Sequence, residues 1–499
     1  MFEPIIYPQC NTDWIFIYSR FWENVNYTKD AEKSKKVEIF EEDQWTVNAC
    51  ITSYCAGMEE LLVEEVKHKL FATEVEQISG RVFFCSNAHL HTMTQLKSAE
   101  RLFLLLRKAA PISLPKNAAK AAVVIQQSIV GDANIWKQSL LLWKALQTEL
   151  QDRQQHGQKR KREREEDDSL NAVANSTHSL SSNTQLGKEL NQQSISFRVS
   201  CRCSGVIARC YTSQRLSRII GMAIKEKLKW KVDLREPILE VNVNVSDDHC
   251  IIGMPLLKHP LASRCYMKHN GLRSTIAWAM AYLCPKQLNN CVILDPMCGV
   301  GAVLLEAAQE YSNALFLGMD TDMSQLQKAA ENVNTAGMEE KVQLLQSSAM
   351  EIPLTSGVVD AVLCDVPFGR KFSCSIDMPT ALPHLLKEME RVLCVGGHLV
   401  LLLSLQLSAQ LKKIVCKHKC KKHANSTDAH CVHTDPSNTN NECKDISKTL
   451  MCHKSSSEIS NTPMFITSLQ AHRTHKVSLG STDAFIHIFT KIQSDINTH

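Results

Sequence analysis

Three aspartates, each closing an apolar run, and one glycine turn carry the chemistry open to this chain. Asp295-Pro296-Met297-Cys298-Gly299-Val300-Gly301 follows Cys291-Val292-Ile293-Leu294, and Asp365-Val366-Pro367-Phe368-Gly369 follows the run Val358 to Cys364. Between them, Ala314 to Met319 ends in Asp320. The apolar runs read as buried strands and Ala302 to Ala308 as a helix, so the first motif is strand, glycine turn, helix. Glycine at 299 and 301 opens conformations closed to residues with a β-carbon and lets a ligand approach bare main chain. Asp320 stands where a carboxylate accepts both ribose hydroxyls of a nucleoside.

Two details favour S-adenosylmethionine over a dinucleotide. The acidic Asp295 precedes the glycines, and Leu304 replaces the third glycine of a dinucleotide fingerprint. A sulfonium and an ammonium suit an acidic lip, whereas a pyrophosphate prefers bare amides at a helix N-terminus. Ligands of open parallel sheets bind beyond the carboxyl ends of strands, so Asp295, Asp320 and Asp365 are expected to line one crevice. An exocyclic amine is a poor nucleophile that must be oriented. Asp365 can accept one amino hydrogen and the Val366 carbonyl another, while Pro367 shapes the turn and Phe368 stacks on the base, a contact worth roughly 1–3 kcal/mol. Positioning rather than a strong base then supplies the acceleration. The plainer alternatives are a glycine turn that only packs helix on strand and a proline turn that only leaves a strand; their shared crevice favours the chemical reading.

The elements around these motifs must build more than one body. At 499 residues, two or three domains are expected. Hydrophobic residues make up 44% and charged residues 22%, an ordinary globular composition, and a net charge of only +4 means that any basic surface is local. The 20 cysteines are spread through strands and loops alike and read as reduced thiols. The start Met1-Phe2-Glu3-Pro4 has no basic leader pattern, and no run reaches the length of a membrane span, so no membrane partner is expected.

Residues 1–46 form an extension of unknown role. From 47 to about 150 the pattern is mixed α/β, with a helix around Met58 to Val66 and strands at Arg81 to Cys85 and Ser98 to Leu105. Residues 151–194 are polar and expected to be disordered; they hold Lys159-Arg160-Lys161-Arg162-Glu163-Arg164, a nuclear address or an RNA-touching arm, which makes the nucleus the expected location and the cytoplasm the alternative. An alternating strand follows at Ile195 to Cys203, then a helix from Gln214 to Trp230 with Leu216, Ile220, Ala223 and Ile224 on one side. Arg198, Arg202, Arg215, Arg218 and Lys225 are the candidate phosphate contacts, with an ordinary solvated face as the alternative.

The catalytic domain is read as 259–499. Gly271-Leu272-Arg273-Ser274-Thr275 leads into a helix at Ile276, with Ser274 or Thr275 as its cap and Thr275 within reach of the cofactor's amino-acid end. A hairpin near Lys476 to Phe489 closes the sheet. Residues 405–465 read as a disordered Cys/His-rich insertion: Cys416, Cys420 and His433 imitate three ligands of a zinc finger but the fourth is missing, so no metal is assigned.

Phe197 to Gly205, Gly271 to Met280, Asp295 to Gly301 and Asp365 to Gly369 together resemble the THUMP-domain RNA methyltransferases, over 47–404 and 475–491. The resemblance implies a ferredoxin-like part and a THUMP domain (47–258) gripping structured RNA, then a class I, Rossmann-like methyltransferase domain with a seven-stranded sheet. It implies N(2)-methylguanosine formation in a tRNA or a spliceosomal small nuclear RNA, and a small zinc-binding activator subunit docked on the catalytic domain. Ser348 stands where many relatives have an aspartate contacting adenine, which implies weaker cofactor affinity without that partner. The alternatives are an inactive RNA-binding scaffold, or an amino-methyltransferase acting on adenine or protein glutamine.

Overall fold

The computed structural model describes residues 47–52, 57–167, 195–284, 290–368, 377–415, 466–480 and 482–493. The extension 1–46, Gly369 and the Cys/His-rich residues from Cys416 to 465 lie outside them.

The first half opens as β1 (Val47–Thr52), α1 (Glu59–Leu70), β2 (Thr73–Ile78), β3 (Arg81–Ser86), α2 (Leu90–Met93) and β4 (Arg101–Ala109). This βαββαβ order, with spatial order β2-β3-β1-β4, is the ferredoxin-like arrangement. Then come α3 (Ala118–Ile125), α4 (Ala133–Asp167), β5 (Ser196–Cys203), α5 (Val206–Cys210), α6 (Ser213–Leu228), β6 (Lys231–Val232), β7 (Leu239–Val245) and β8 (Cys250–Pro255). Because β8 pairs antiparallel with β4, both parts share one eight-stranded sheet, β2-β3-β1-β4-β8-β7-β5-β6. Their apolar residues form one core, running from Leu62 and Val66 of α1 to Leu216, Ile220 and Ile224 of α6.

Helix α4 corrects the expectation for 151–194. Residues 151–167, including the basic run, continue α4, and 168–194 lie outside the described residues. Composition foretold only the missing apolar content; Gln, Lys, Arg and Glu are good helix formers once a packed helix has nucleated.

The second half comprises α7 (Ser274–Tyr282), β9 (Val292–Asp295), α8 (Ala302–Glu310), β10 (Leu315–Asp320), α9 (Met323–Ala336), β11 (Val342–Gln346), β12 (Val359–Asp365), α10 (Met378–Val392), β13 (Leu393–Ser404), α11 (Leu405–Val415), β14 (Leu469–Ser478) and β15 (Asp483–Lys491). The seven-stranded order is β11-β10-β9-β12-β13-β15-β14, parallel from β11 to β13 and closed by the expected antiparallel hairpin. Alternation along each strand feeds two cores: Ile293, Phe316, Ala361 and Leu363 face α7 and α8, while Leu294, Met319, Val362 and Cys364 face α10 and α11. Helix α11 corrects the boundary of the second insertion, because Leu407, Leu411 and Ile414 are buried at helical spacing against that second core.

Candidate active site

The strand order reverses between β9 and β12, and such a reversal opens a crevice at the carboxyl ends of the strands. Asp295, Asp320 and Asp365 are the last residues of β9, β10 and β12. Each lies an even number of residues from Ile293, Phe316 or Ala361, so all three leave the sheet on the α7 and α8 side. β9 is hydrogen-bonded to both β10 and β12, so the three carboxylates sit on adjacent strands.

Asp295 is 1% exposed and accepts the Met297 N–H at 3.1 Å. Burial pushes its carboxyl well above the usual range, and the charges of Asp365 and Asp320 push it the same way. Burial raises Asp365 to about 7. Asp320 anchors the turn by accepting from the Gly299 N–H at 3.0 Å and the Asp322 N–H at 2.9 Å. A row of carboxylates of which two are largely desolvated is costly unless a cation joins it. Cys298 and Cys364 are buried beside these carboxylates, and desolvation holds both thiols protonated, so neither is a nucleophile.

Pro296 starts the turn. Gly299 and Gly301 have φ of +52° and +81°, the left-handed region that favours glycine. A β-carbon on Gly299 would meet nothing within 4 Å, which leaves open space over bare backbone. The 271–275 segment lies against this turn, since a β-carbon on Gly271 would come within 2.5 Å of Val300 Cγ2. Thr275 is 2% exposed and its Oγ1 has no hydrogen-bond partner. An orphaned buried hydroxyl, a bare glycine turn and an acidic rim fit the polar end, the nucleoside and the positive charge of S-adenosylmethionine.

The expected cap is corrected: α7 is entered at Arg273, and neither Ser274 nor Thr275 caps it, both being helical. The Arg273 carbonyl accepts from Ile276 and Ala277 N–H, and its side chain lies 3.8 Å from Glu100. Ser348 follows β11, where its hydroxyl accepts the Met350 N–H at 3.2 Å, and the neighbouring Ser347 N–H donates to the Asp320 carbonyl at 3.1 Å. The segment that carries Ser348 is thus tied to the end of β10 through one peptide. Val366 is buried, its N–H donating to the Leu402 carbonyl at 3.2 Å, while Pro367 and Phe368 remain partly exposed at the crevice rim.

Asn332 of α9 had no signal in the sequence. It is fully buried; its Oδ1 accepts the His269 N–H at 2.8 Å, and its Nδ2 donates to the carbonyls of His269 at 3.0 Å and Val300 at 2.9 Å. One amide therefore clasps the glycine turn to the segment leading to Thr275.

The five basic candidates do not form one patch. Val199 faces α6, being within 3.7 Å of a β-carbon on Gly221, so Arg198 and Arg202 lie on the opposite face of β5. Arg198 is paired with Glu240 at 2.8 Å. Arg215, Arg218 and Lys225 are exposed on the outer side of α6. Among the described residues no group of His, Cys, Asp or Glu is arranged to hold a metal ion, and no helix is long and apolar enough to cross a membrane.

The reversed parallel sheet, its closing hairpin and the carboxylate-rimmed glycine turn define a class I methyltransferase fold. Family comparison agrees on both halves: residues 183–254 match the THUMP domain, and 262–435 match the RMKL-like methyltransferase domain. The chain is similar to the U6 snRNA (guanine-N(2))-methyltransferase THUMPD2 of Homo sapiens, 36% identical over 488 residues, covering 88% of this chain and 95% of that protein. The Bos taurus counterpart is 39% identical over 391 residues, covering 70% and 76%. This chain belongs to the THUMP-domain RNA methyltransferase family. The solved structure of TrmN from Thermus thermophilus shares the fold at TM-score 0.56 and 18% identity, covering 90% of this chain and all of that one.

Proposed function

We propose that this protein is an S-adenosylmethionine-dependent RNA methyltransferase that forms N(2)-methylguanosine, with U6 small nuclear RNA as its first candidate substrate and a tRNA as its second. The observation that carries the reading is the placement of Asp295, Asp320 and Asp365 on one face, around a glycine turn with open space above it. Membership of a family whose relatives carry those activities in their names supports it.

S-adenosylmethionine supplies an electrophilic methyl group on a positively charged sulfur. Asp320 and Thr275 would hold its ribose and amino-acid ends, Ser348 would face the adenine, and Asp295 would offset its charge. Asp365 orients the guanine amino group by accepting one hydrogen, the Val366 carbonyl accepts the other, and Phe368 stacks on the ring. As the nitrogen gains a carbon it must lose a proton, and Asp365 would receive it. The target base must be unpaired or extruded to reach this crevice.

The finer readings are that a small zinc-binding activator subunit docks on the catalytic domain and that the protein works in the nucleus. Exposed Leu315, Met323 and Leu345 around the edge strand β11 support a protein partner, and the basic run in α4 supports a nuclear address. Incubating the chain, with and without such an activator, with total RNA and methyl-labelled cofactor, then digesting to nucleosides, tests the reading. Label is expected in N(2)-methylguanosine; label confined to adenosine or to protein refutes it.

A further inference from the structure

Between the two sheets lies a buried polar junction that the chemistry above does not use. Glu306 stands in the middle of α8, the helix that leaves the glycine turn, and is 1% exposed. Its carboxylate accepts from Arg264 Nε at 2.9 Å and from the Tyr266 hydroxyl at 2.7 Å. Arg264 Nη1 donates to the Leu261 carbonyl at 2.6 Å, and Nη2 donates to the Lys97 carbonyl at 2.7 Å and to the second Glu306 oxygen at 3.5 Å. Lys97 belongs to the RNA-binding half, in the segment that enters β4. That segment is fixed from its own side by Glu65 of α1, which accepts the Lys97 N–H at 2.8 Å and the Ser98 N–H at 2.9 Å. Two residues on, Glu100 faces Arg273 at 3.8 Å, directly before the helix that carries Thr275.

A buried ion pair is weak support for stability, since apolar residues of similar size often serve as well; its best-attested use is to select one register among several. Here all three nitrogens of the guanidinium group are directed and both halves of the chain supply acceptors, so a slip of either body breaks several hydrogen bonds at once. Apolar packing would tolerate such a slip. The rate of an oriented transfer does not, because a displacement of about 1 Å can cost about 100-fold.

We propose that Glu306, acting through Arg264, is a positioning residue for methyl transfer: it locks the cofactor-bearing helix to the RNA-gripping sheet, so that a bound RNA presents one guanine, and not its neighbours, at Asp365. The proposal rests on the RNA-methylating function and refines it. Its mark is a loss of rate and of site fidelity while both ligands still bind.

The test uses the full chain with its activator, the R264M/E306M double variant, and E306Q, which keeps the acceptor for Tyr266 but not the charge. Cofactor affinity, RNA affinity, the transfer rate at saturation and the position of each methylated guanosine are measured together. The double variant is expected to unfold cooperatively, to bind cofactor and RNA within about threefold of wild type, to transfer methyl groups at least about tenfold more slowly, and to mark guanosines beside the original one. E306Q should show a smaller loss in the same two readouts. A double variant or an E306Q protein with the wild-type rate and a single methylated position overturns the proposal, as does a loss of cofactor affinity that accounts for all of the lost rate. A wild-type protein that leaves RNA unmethylated overturns the functional reading instead.

Discussion

Replacing Asp365 by asparagine separates what the crevice costs from what it does. Burial raises this carboxyl from 3.8 to about 7, so the folded protein holds a proton there that the unfolded chain has already lost. The sign follows from linkage: with the folded-state value raised, stability is fully present below the unfolded value and falls as pH rises through the folded one, here from about 4 to about 7. That rise corresponds to about 4 kcal/mol, an upper figure because Asp365 keeps some solvent access at the crevice. Asparagine has the same shape and no charge, so D365N should be more stable than wild type at pH 8, by about 1–2 kcal/mol after that allowance, and no more stable at pH 4.

Activity must run the other way. Only the ionised carboxylate accepts both the hydrogen bond and the leaving proton, so kcat/KM should rise about tenfold per pH unit up to about 7 and then level. A bound cation beside Asp365 favours its ionised form, so the limb in kcat at saturating cofactor should lie at lower pH than the limb in kcat/KM for cofactor. D365N should lose about 100-fold in rate and lose the acid limb. Initial rates of label transfer from pH 5.5 to 8.5, paired with denaturant unfolding at pH 4 and 8, read both effects. An unchanged acid limb in D365N, or a variant less stable than wild type at pH 8, would refute the reasoning.

Opposite pH behaviour is expected from His487, buried with Nε2 on Ser408 at 2.8 Å and Nδ1 on Thr474 at 3.0 Å. Burial, then the charge of Lys412, lowers it from 6.5 to about 4, so its contribution is present above 6.5 and is lost as pH falls towards 4, up to about 3 kcal/mol; unfolding curves at pH 7 and 4.5 should diverge in wild type and much less in H487Q. G299A should fold with a loss of about 1–2 kcal/mol, because φ is +52°, and weaken cofactor binding at least about tenfold by filling the open space, as calorimetry would show. N332A removes the amide serving His269 and Val300 and should cost about 1–3 kcal/mol per stranded group in thermal unfolding, with weaker cofactor binding and unchanged RNA affinity.

The catalytic half was legible because a parallel strand buried on both faces must be an unbroken apolar run, and the residue ending it must face the crevice. Asp295, Asp320 and Asp365 were found by that logic, and strand parity then sets them on one side. Asn332 was not legible: it occupies one position of an amphipathic helix, where a polar residue reads as solvated, and only the approach of the 269 segment turns it inward. Arg264 and Glu306 hid for the same reason, being 42 residues apart and meaningful only as a pair.

Charge content misled where apolar content did not. Residues 405–415 join a polar insertion only when 405–465 is taken as one block, yet Leu407, Leu411 and Ile414 recur at helical spacing and dock α11 on the sheet. The basic candidates fail in the converse way. Alternation along β5 places Arg198 and Arg202 on the face away from α6, so adding their charges to those of Arg215, Arg218 and Lys225 counts two surfaces as one. Phosphates bound to the α6 face would leave Arg202 unaffected, and an RNA crossing the open face of β5 would have to displace the Arg198–Glu240 pair. Substituting either set alone should therefore change the salt dependence of RNA binding by different amounts, with a slope loss of about one per phosphate contact on the face that is used and none on the other.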